Sequence, residues 1–182
     1  MDTAINDPVV VAEVKALHEA YEAALISNDV ESLVTFFWDS ALALRFGVAE
    51  SLYGAAQITA FRQGRSPVGL DRTVSNSRIV TFGNDCAVVT LEFDRNANGV
   101  ARHGRQSQVW RRFDSGWKIV SAHVSLVPLS YAETAASLLR LPLPVEYVEG
   151  VRQNIERAAA IAEPLLRFSI PDEIETPAVF QP

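Results

Sequence analysis

Behind Pro8, apolar residues recur at Val10, Val14, Leu17, Tyr21, Ala24 and Leu25. That three-and-four spacing predicts a helix with one buried face, and proline suits its first turn. A second helix is expected from Asn28, with Glu31 three residues on as a capping box, running through Leu33, Phe36 and Phe37. The period then shortens to two. Leu42, Leu44, Phe46 and Val48 alternate with Ala41, Ala43, Arg45 and Gly47, predicting a strand over 41–48. The segment AAQITAFRQ between Gly54 and Gly64 reads as a short helix. Strands over 72–82 and 86–95 follow, joined at Gly83-Asn84-Asp85.

The next stretch, 103–126, is a second strand–turn–strand around Asp114-Ser115-Gly116. Gln106, Gln108 and Trp110 share one face of its first strand, and Ser121, His123 and Ser125 share one face of its second. A two- or four-residue loop puts both sets on the same side; a three-residue loop separates them. The first choice leaves Val109, Phe113, Val120, Val124 and Leu126 as a coherent apolar second face. It predicts a sheet face that is polar in its middle, which points to a ligand pocket.

Helices at the front and long antiparallel strands behind make an α+β fold, a curved sheet covered by N-terminal helices. Composition shifts at Pro128. Ser130 with Glu133 forms another capping box, opening a helix over 131–139 that Leu141-Pro142-Leu143-Pro144 breaks. A longer helix over 145–167 carries Val148, Val151, Ile155, Ala158, Ile161 and Leu165 on one face, and SIPDEIETPAVFQP ends the chain as an extended tail. The expected division is therefore 1–128 and 129–182. A helical pair of that size cannot close a core of its own, so its apolar stripe calls for a partner.

At 48% apolar, 21% charged and net charge −6, the 182-residue chain is an ordinary globular protein rather than a nucleic-acid binder. One cysteine, Cys86, and three scattered histidines leave no disulfide framework and no metal-ligand spacing. No signal core and no membrane-length apolar run precede or interrupt the pattern, so a cytoplasmic location without membrane association is expected.

The run Val109-Trp110, Gly116-Trp117-Lys118-Ile119-Val120 and His123-Val124-Ser125 resembles the strand pair of the cone-shaped nuclear-transport-factor-2-like (SnoaL-like) superfamily. More narrowly, DPxVxAEVxALxExYEAAL, FWD, RFGxxExLYG, IxAFR, GRQSQxW and AHVS resemble the AtzH/HpxZ-like family of cyanuric-acid and oxalurate (ureide) catabolism. Beyond 130, LLxLPLPxEYxxGVxxNIERxAAIA and the PxFxP tail resemble the small AtzG-like (GatC-like) subunits that wrap around amidase-signature hydrolases. The resemblance implies a fusion of the two. It implies a cofactor-independent decarboxylating amidohydrolase acting on a small ureido dicarboxylate such as 1,3-dicarboxyurea. It also implies an amidase-signature partner held through residues 129–182. A non-catalytic scaffold and a metabolite-binding module are the rival classes.

Within that frame Arg45, alone among small neighbours, suits a bidentate grip on a carboxylate; an edge-strand arginine facing water is the plainer alternative. Tyr21 lies on the apolar stripe of the first helix, where its hydroxyl needs a buried partner such as Arg45 or a ligand, or is a satisfied core tyrosine. His123 is suited to binding substrate or moving a proton, alone or through a water, or to a structural strand-to-strand bond. Gln106 and Gln108 suit amide or urea groups, Ser125 joins the same face, and Glu50 and Tyr53 are expected at the rim. Arg62 and Arg65 read as solvated helix charges. The apolar second face of the hairpin predicts a homodimer through the sheet.

Overall fold

The computed structural model describes residues 4–97 and 100–168. They fall into two compact units, 1–128 and 129–182. In the first, α1 (Pro8–Ser27) is capped by the Asp7 carboxylate, which accepts from the Val9 N–H at 2.9 Å. Its buried face is Val10, Val14, His18, Tyr21, Ala24 and Leu25. The helix α2 (Val30–Thr35) takes its cap one residue later than its pattern suggests and ends before Phe36 and Phe37. Asp29 takes the cap by accepting from Ser32 N–H at 3.0 Å, because Asn28 is already spent ending α1 at φ 55°.

The predicted strand over 41–48 shortens to β1 (Leu44–Phe46), which turns through residues 47–50 into an unforeseen β2 (Ser51–Tyr53). Helix α3 (Ala55–Gly64) and strands β3 (Thr73–Phe82), β4 (Cys86–Ala97), β5 (Val100–Phe113) and β6 (Gly116–Leu126) complete the unit. The sheet order is β2-β1-β6-β5-β4-β3, antiparallel except for β1 beside β6. One face packs under α1 and α3. Val14, Leu33, Ile58, Val89, Trp110 and Ile119 are fully buried there and form the hydrophobic core.

The last hairpin overturns the expected face assignment. Its turn is the short one, with Phe113 opposite Gly116. Trp110 then pairs with Ile119, but Val109 pairs with Ser121, leaving Val120 as an extra residue. That bulge shifts every later position on β6 by one, and a one-residue shift exchanges the two faces. Gln106 therefore stands opposite Val124 and Gln108 opposite Ala122, while His123 stands opposite Ser107. Ser121, His123 and Ser125 lie on the outer face, away from the helices. Val124 moves inward. The outer face of this region carries Arg105, Thr90, Glu92 and His123.

In the second unit, the Ser130–Glu133 capping box opens α4 (Tyr131–Leu138), and α5 (Val145–Leu166) begins just after Pro144. Pro164 sits in the last turn of α5. The tail 169–182 lies outside the described residues.

Candidate functional site

Three elements bring polar groups to the open end of the core. Parallel pairing sets Arg45 of β1 beside Ala122 of β6, so Arg45 shares the inner face with Val124 and Gln106. Helix α1 lays His18, Tyr21 and Glu22 across that face, and α3 supplies Arg62. Between them lies a cavity of about 310 Å³, within the range of small-ligand sites. Its lining includes Tyr21, Arg45, Glu50, Phe61, Arg62, Arg65, Arg72, Phe93, Arg95 and Gln106.

Five guanidinium groups line this small space, and they are not equivalent. Arg72 is held through two of its three nitrogens. Its Nε donates to Glu22 at 2.9 Å, its Nη2 to Glu22 at 2.6 Å and to Gln106 at 3.1 Å, and its guanidinium lies 4.8 Å from the centre of the Phe93 ring. Gln106 closes that network by donating to Glu22 at 3.3 Å. Gly104 is needed beneath it, since a Cβ there would lie 2.2 Å from the Phe93 ring. Arg45, 8% exposed, is ion-paired through Nη1 to Glu50 and lies 4.7 Å from the centre of the Phe61 ring. Gly47 makes room for that pair, because a Cβ there would overlap the Glu50 carboxylate.

Arg62 is 1% exposed, not the solvated helix charge expected. Its Nη2 donates to the Tyr21 hydroxyl at 2.9 Å, while Nε and Nη1 are buried with no partner among the described residues. Arg65 is half-buried and pushed down to about 10, first by burial and then by the guanidinium groups of Arg62 and Arg45. Cations held with so little compensation are costly to bury.

Tyr21 is thus in the pocket with Arg45, but its hydroxyl is partnered by Arg62. Because the hydroxyl oxygen already accepts there, its own proton is free to be given elsewhere. Glu50 lines the cavity, and Gln106 contributes through the Arg72 network. Gln108 lies deeper, 1% exposed, accepting from the Trp110 indole at 3.1 Å. Beside it His18 is 5% exposed, with its Nε2 3.8 Å from a Glu22 carboxylate oxygen. Burial pushes His18 below its ordinary value despite the opposing pull of Glu22, so it is neutral near pH 7.

The other expected residues are elsewhere. His123 and Ser125 line a broader concavity of about 520 Å³ on the outer sheet face, with Arg78, Glu92 and Arg105. His123 meets the Phe46 ring edge-on at 6.3 Å. Tyr53 faces outward too, 57% exposed against Phe46. Arg62, Arg65, Arg72 and Arg95 also line the cavity, with Glu22 holding Arg72, and the apolar pattern of the sequence does not single them out. One signal was available for Arg62: it follows Ile58 by four residues, on the same helix face, and Ile58 is 1% exposed.

Among the described residues no helix is long and apolar enough to cross a membrane, and no His/Cys/Asp/Glu group is placed to hold a metal ion.

Residues 3–130 match the model of the AtzH-like family. Residues 131–180 match that of the 1-carboxybiuret hydrolase subunit AtzG-like family. No curated protein matches the chain. A solved protein of unknown function from Pectobacterium atrosepticum is 44% identical, with TM-score 0.65, over 68% of this chain and 95% of its own. A cystatin-like fold protein from Burkholderia xenovorans is 38% identical, with TM-score 0.65, over 70% of this chain and 99% of its own. A ketosteroid isomerase-like protein from Erwinia carotovora atroseptica shares the fold at 17% identity and TM-score 0.56, over 65% of this chain and 97% of its own. With the family's model spanning its whole first unit, the chain belongs to the AtzH-like family, and it carries an AtzG-like segment behind that unit.

Proposed function

We propose that the first unit is a cofactor-independent decarboxylating amidohydrolase acting on a small ureido dicarboxylate of the 1,3-dicarboxyurea type. The observation that carries this reading is the Arg-lined cavity with a proton-bearing Tyr21 hydroxyl on its wall. An N-carboxylate loses carbon dioxide when its nitrogen takes up a proton. One substrate dianion and one proton give a urea with a single N-carboxylate and one carbon dioxide. The site therefore needs a carboxylate grip and a proton donor, and no metal or redox group enters that balance.

Arg45 is the grip. Only its Nη1 is engaged by Glu50, so its remaining donors can take a substrate oxygen. Tyr21 is the donor, and the Arg62 guanidinium on its oxygen compensates the charge left after transfer. His123 takes no part in this scheme, because the bulge at Val120 sends it to the opposite face.

The AtzG-like segment supports a second role, docking an amidase-signature hydrolase. Large apolar side chains remain exposed along it, among them Leu138, Val145, Tyr147, Ile161 and Leu166. Such a surface is normally covered by a partner. Joining the two units in one chain would hold two consecutive reactions together at a high effective concentration.

Arg45 variants test the catalytic reading. Arg45→Lys keeps the charge but loses the planar fork and should lower kcat/KM sharply. Arg45→Ala should lower it further, by about 2–5 kcal/mol of transition-state stabilisation. Undiminished turnover in a folded Arg45→Ala variant would remove the role.

A further inference from the structure

We infer that Arg62 and Arg65 form a second anion subsite in the same cavity, which makes the site selective for ligands bearing two carboxylates over those bearing one. This rests on the catalytic reading only for the identity of the natural ligand; the subsite itself stands on the charge pairing in the cavity. Of the five guanidinium groups, Arg72 is held through Nε and Nη2 by Glu22 and Gln106, Arg45 carries Glu50, and Arg95 of β4 keeps a buried Nε without a partner among the described residues. No carboxylate among the described residues pairs with Arg62 or Arg65. Arg62 nevertheless has almost no solvent contact, and two of its nitrogens are buried without an acceptor.

An unpaired buried guanidinium is among the costlier groups a fold can keep. Tyr21 relieves only one of its nitrogens, and as a hydroxyl it brings no negative charge. Arg65 adds a second cation three residues further along the chain, facing the same space, so each raises the electrostatic cost of the other. A carboxylate between them satisfies the orphaned donors of Arg62 and neutralises both charges. Arg45 holds Glu50 through Nη1 alone and keeps its other donors for a further carboxylate. Two positions in one cavity of about 310 Å³ fit a compact dianion.

The test uses malonate and its mono-methyl ester, which share a carbon frame but carry two charges and one. Both are titrated calorimetrically into the full-length protein at mildly alkaline pH and constant ionic strength. Wild type should prefer malonate by about ten- to a hundredfold, the scale of one charge-assisted hydrogen-bonded contact. Arg65→Gln should erase most of that preference by weakening malonate alone, with binding of the half-ester held within about twofold. Arg65→Lys should fall between the two, which also guards against a general loss of fold.

A wild type that fails to prefer malonate, or binds neither probe, overturns the subsite. So does an Arg65→Gln variant that keeps the full preference. Turnover of a ureido dicarboxylate is recorded separately on the same samples. Lost selectivity without wild-type turnover leaves the subsite standing and removes the catalytic reading; retained selectivity with turnover does the reverse.

Discussion

Replacing Tyr21 by phenylalanine removes one oxygen and leaves the ring, which is 3% exposed and packed edge-on against Phe36 at 5.7 Å. Two consequences follow from that single atom. The first is chemical. Without the hydroxyl the cavity loses its proton donor, and general-acid catalysis of this kind is worth about 10²–10⁴ in rate. The loss should fall on kcat, with KM little changed, because Arg45 and its neighbours still bind the anion. The second is structural. Arg62 loses the acceptor at 2.9 Å and becomes unpaired at three buried nitrogens instead of two. Leaving a buried donor unsatisfied costs about 1–3 kcal/mol, more for a charged group, so the melting temperature should drop by several degrees. Added malonate should recover part of that drop by supplying Arg62 with an acceptor. Steady-state kinetics and thermal unfolding, with and without malonate, read both effects. A variant with kcat within about twofold of wild type would refute the donor role, and an unchanged melting temperature would refute the accounting of the Arg62 contacts.

The neutral, buried His18 makes stability depend on pH with a definite sign. Its folded value lies below its ordinary 6.5, so the unfolded chain binds the extra proton first, and the His18 contribution, complete above 6.5, is lost as pH falls below it. Urea titrations of wild type and His18→Gln across that window should show a steeper acid loss in wild type; parallel curves would contradict the assignment. Gly104→Ala should destabilise by about 1–3 kcal/mol, because its methyl group must displace Phe93 and with it Arg72; an undisturbed melting curve would show that the ring has room to move. Removing residues 129–182 should leave the first unit folded with its own turnover, while abolishing co-purification with the amidase-signature partner. Unfolding of the truncated chain, or failure of the full chain to bind that partner, would mean the segment serves this chain's own packing.

The fold was largely written in the period of the apolar residues. Helix stripes and hairpin turns gave α1 and the four long strands because one buried face imposes a regular spacing on each. Where the pattern misled, the cause was local. Asn28 looks like a helix start but works as a left-handed stop, a role the same side chain fills equally well. The bulge at Val120 left no trace, since valine is as good inside a bulged strand as in a regular one. That one residue separated His123 from Arg45.

Residues lining the candidate cavity were legible where polarity interrupted an apolar pattern, as at Tyr21, Arg45 and Gln106. They were not legible where an arginine stood on a short helix or at a strand end. A buried Arg62 and a solvated one look alike until the tertiary fold closes over them. The guanidinium groups around the cavity are drawn from α3, β1, β4 and the approach to β3, which no single segment of the sequence displays.

This chain alone, without metal, cofactor or partner, should decarboxylate a ureido dicarboxylate. Purified full-length protein should be mixed with freshly generated 1,3-dicarboxyurea, and carbon dioxide release followed against the spontaneous rate. Enzymatic release of one carbon dioxide per substrate is expected, leaving the mono-carboxylated urea, with loss of that excess rate in Arg45→Ala. Release at the spontaneous rate, from folded protein that binds malonate, would contradict it and make the cavity a binding site rather than an active one.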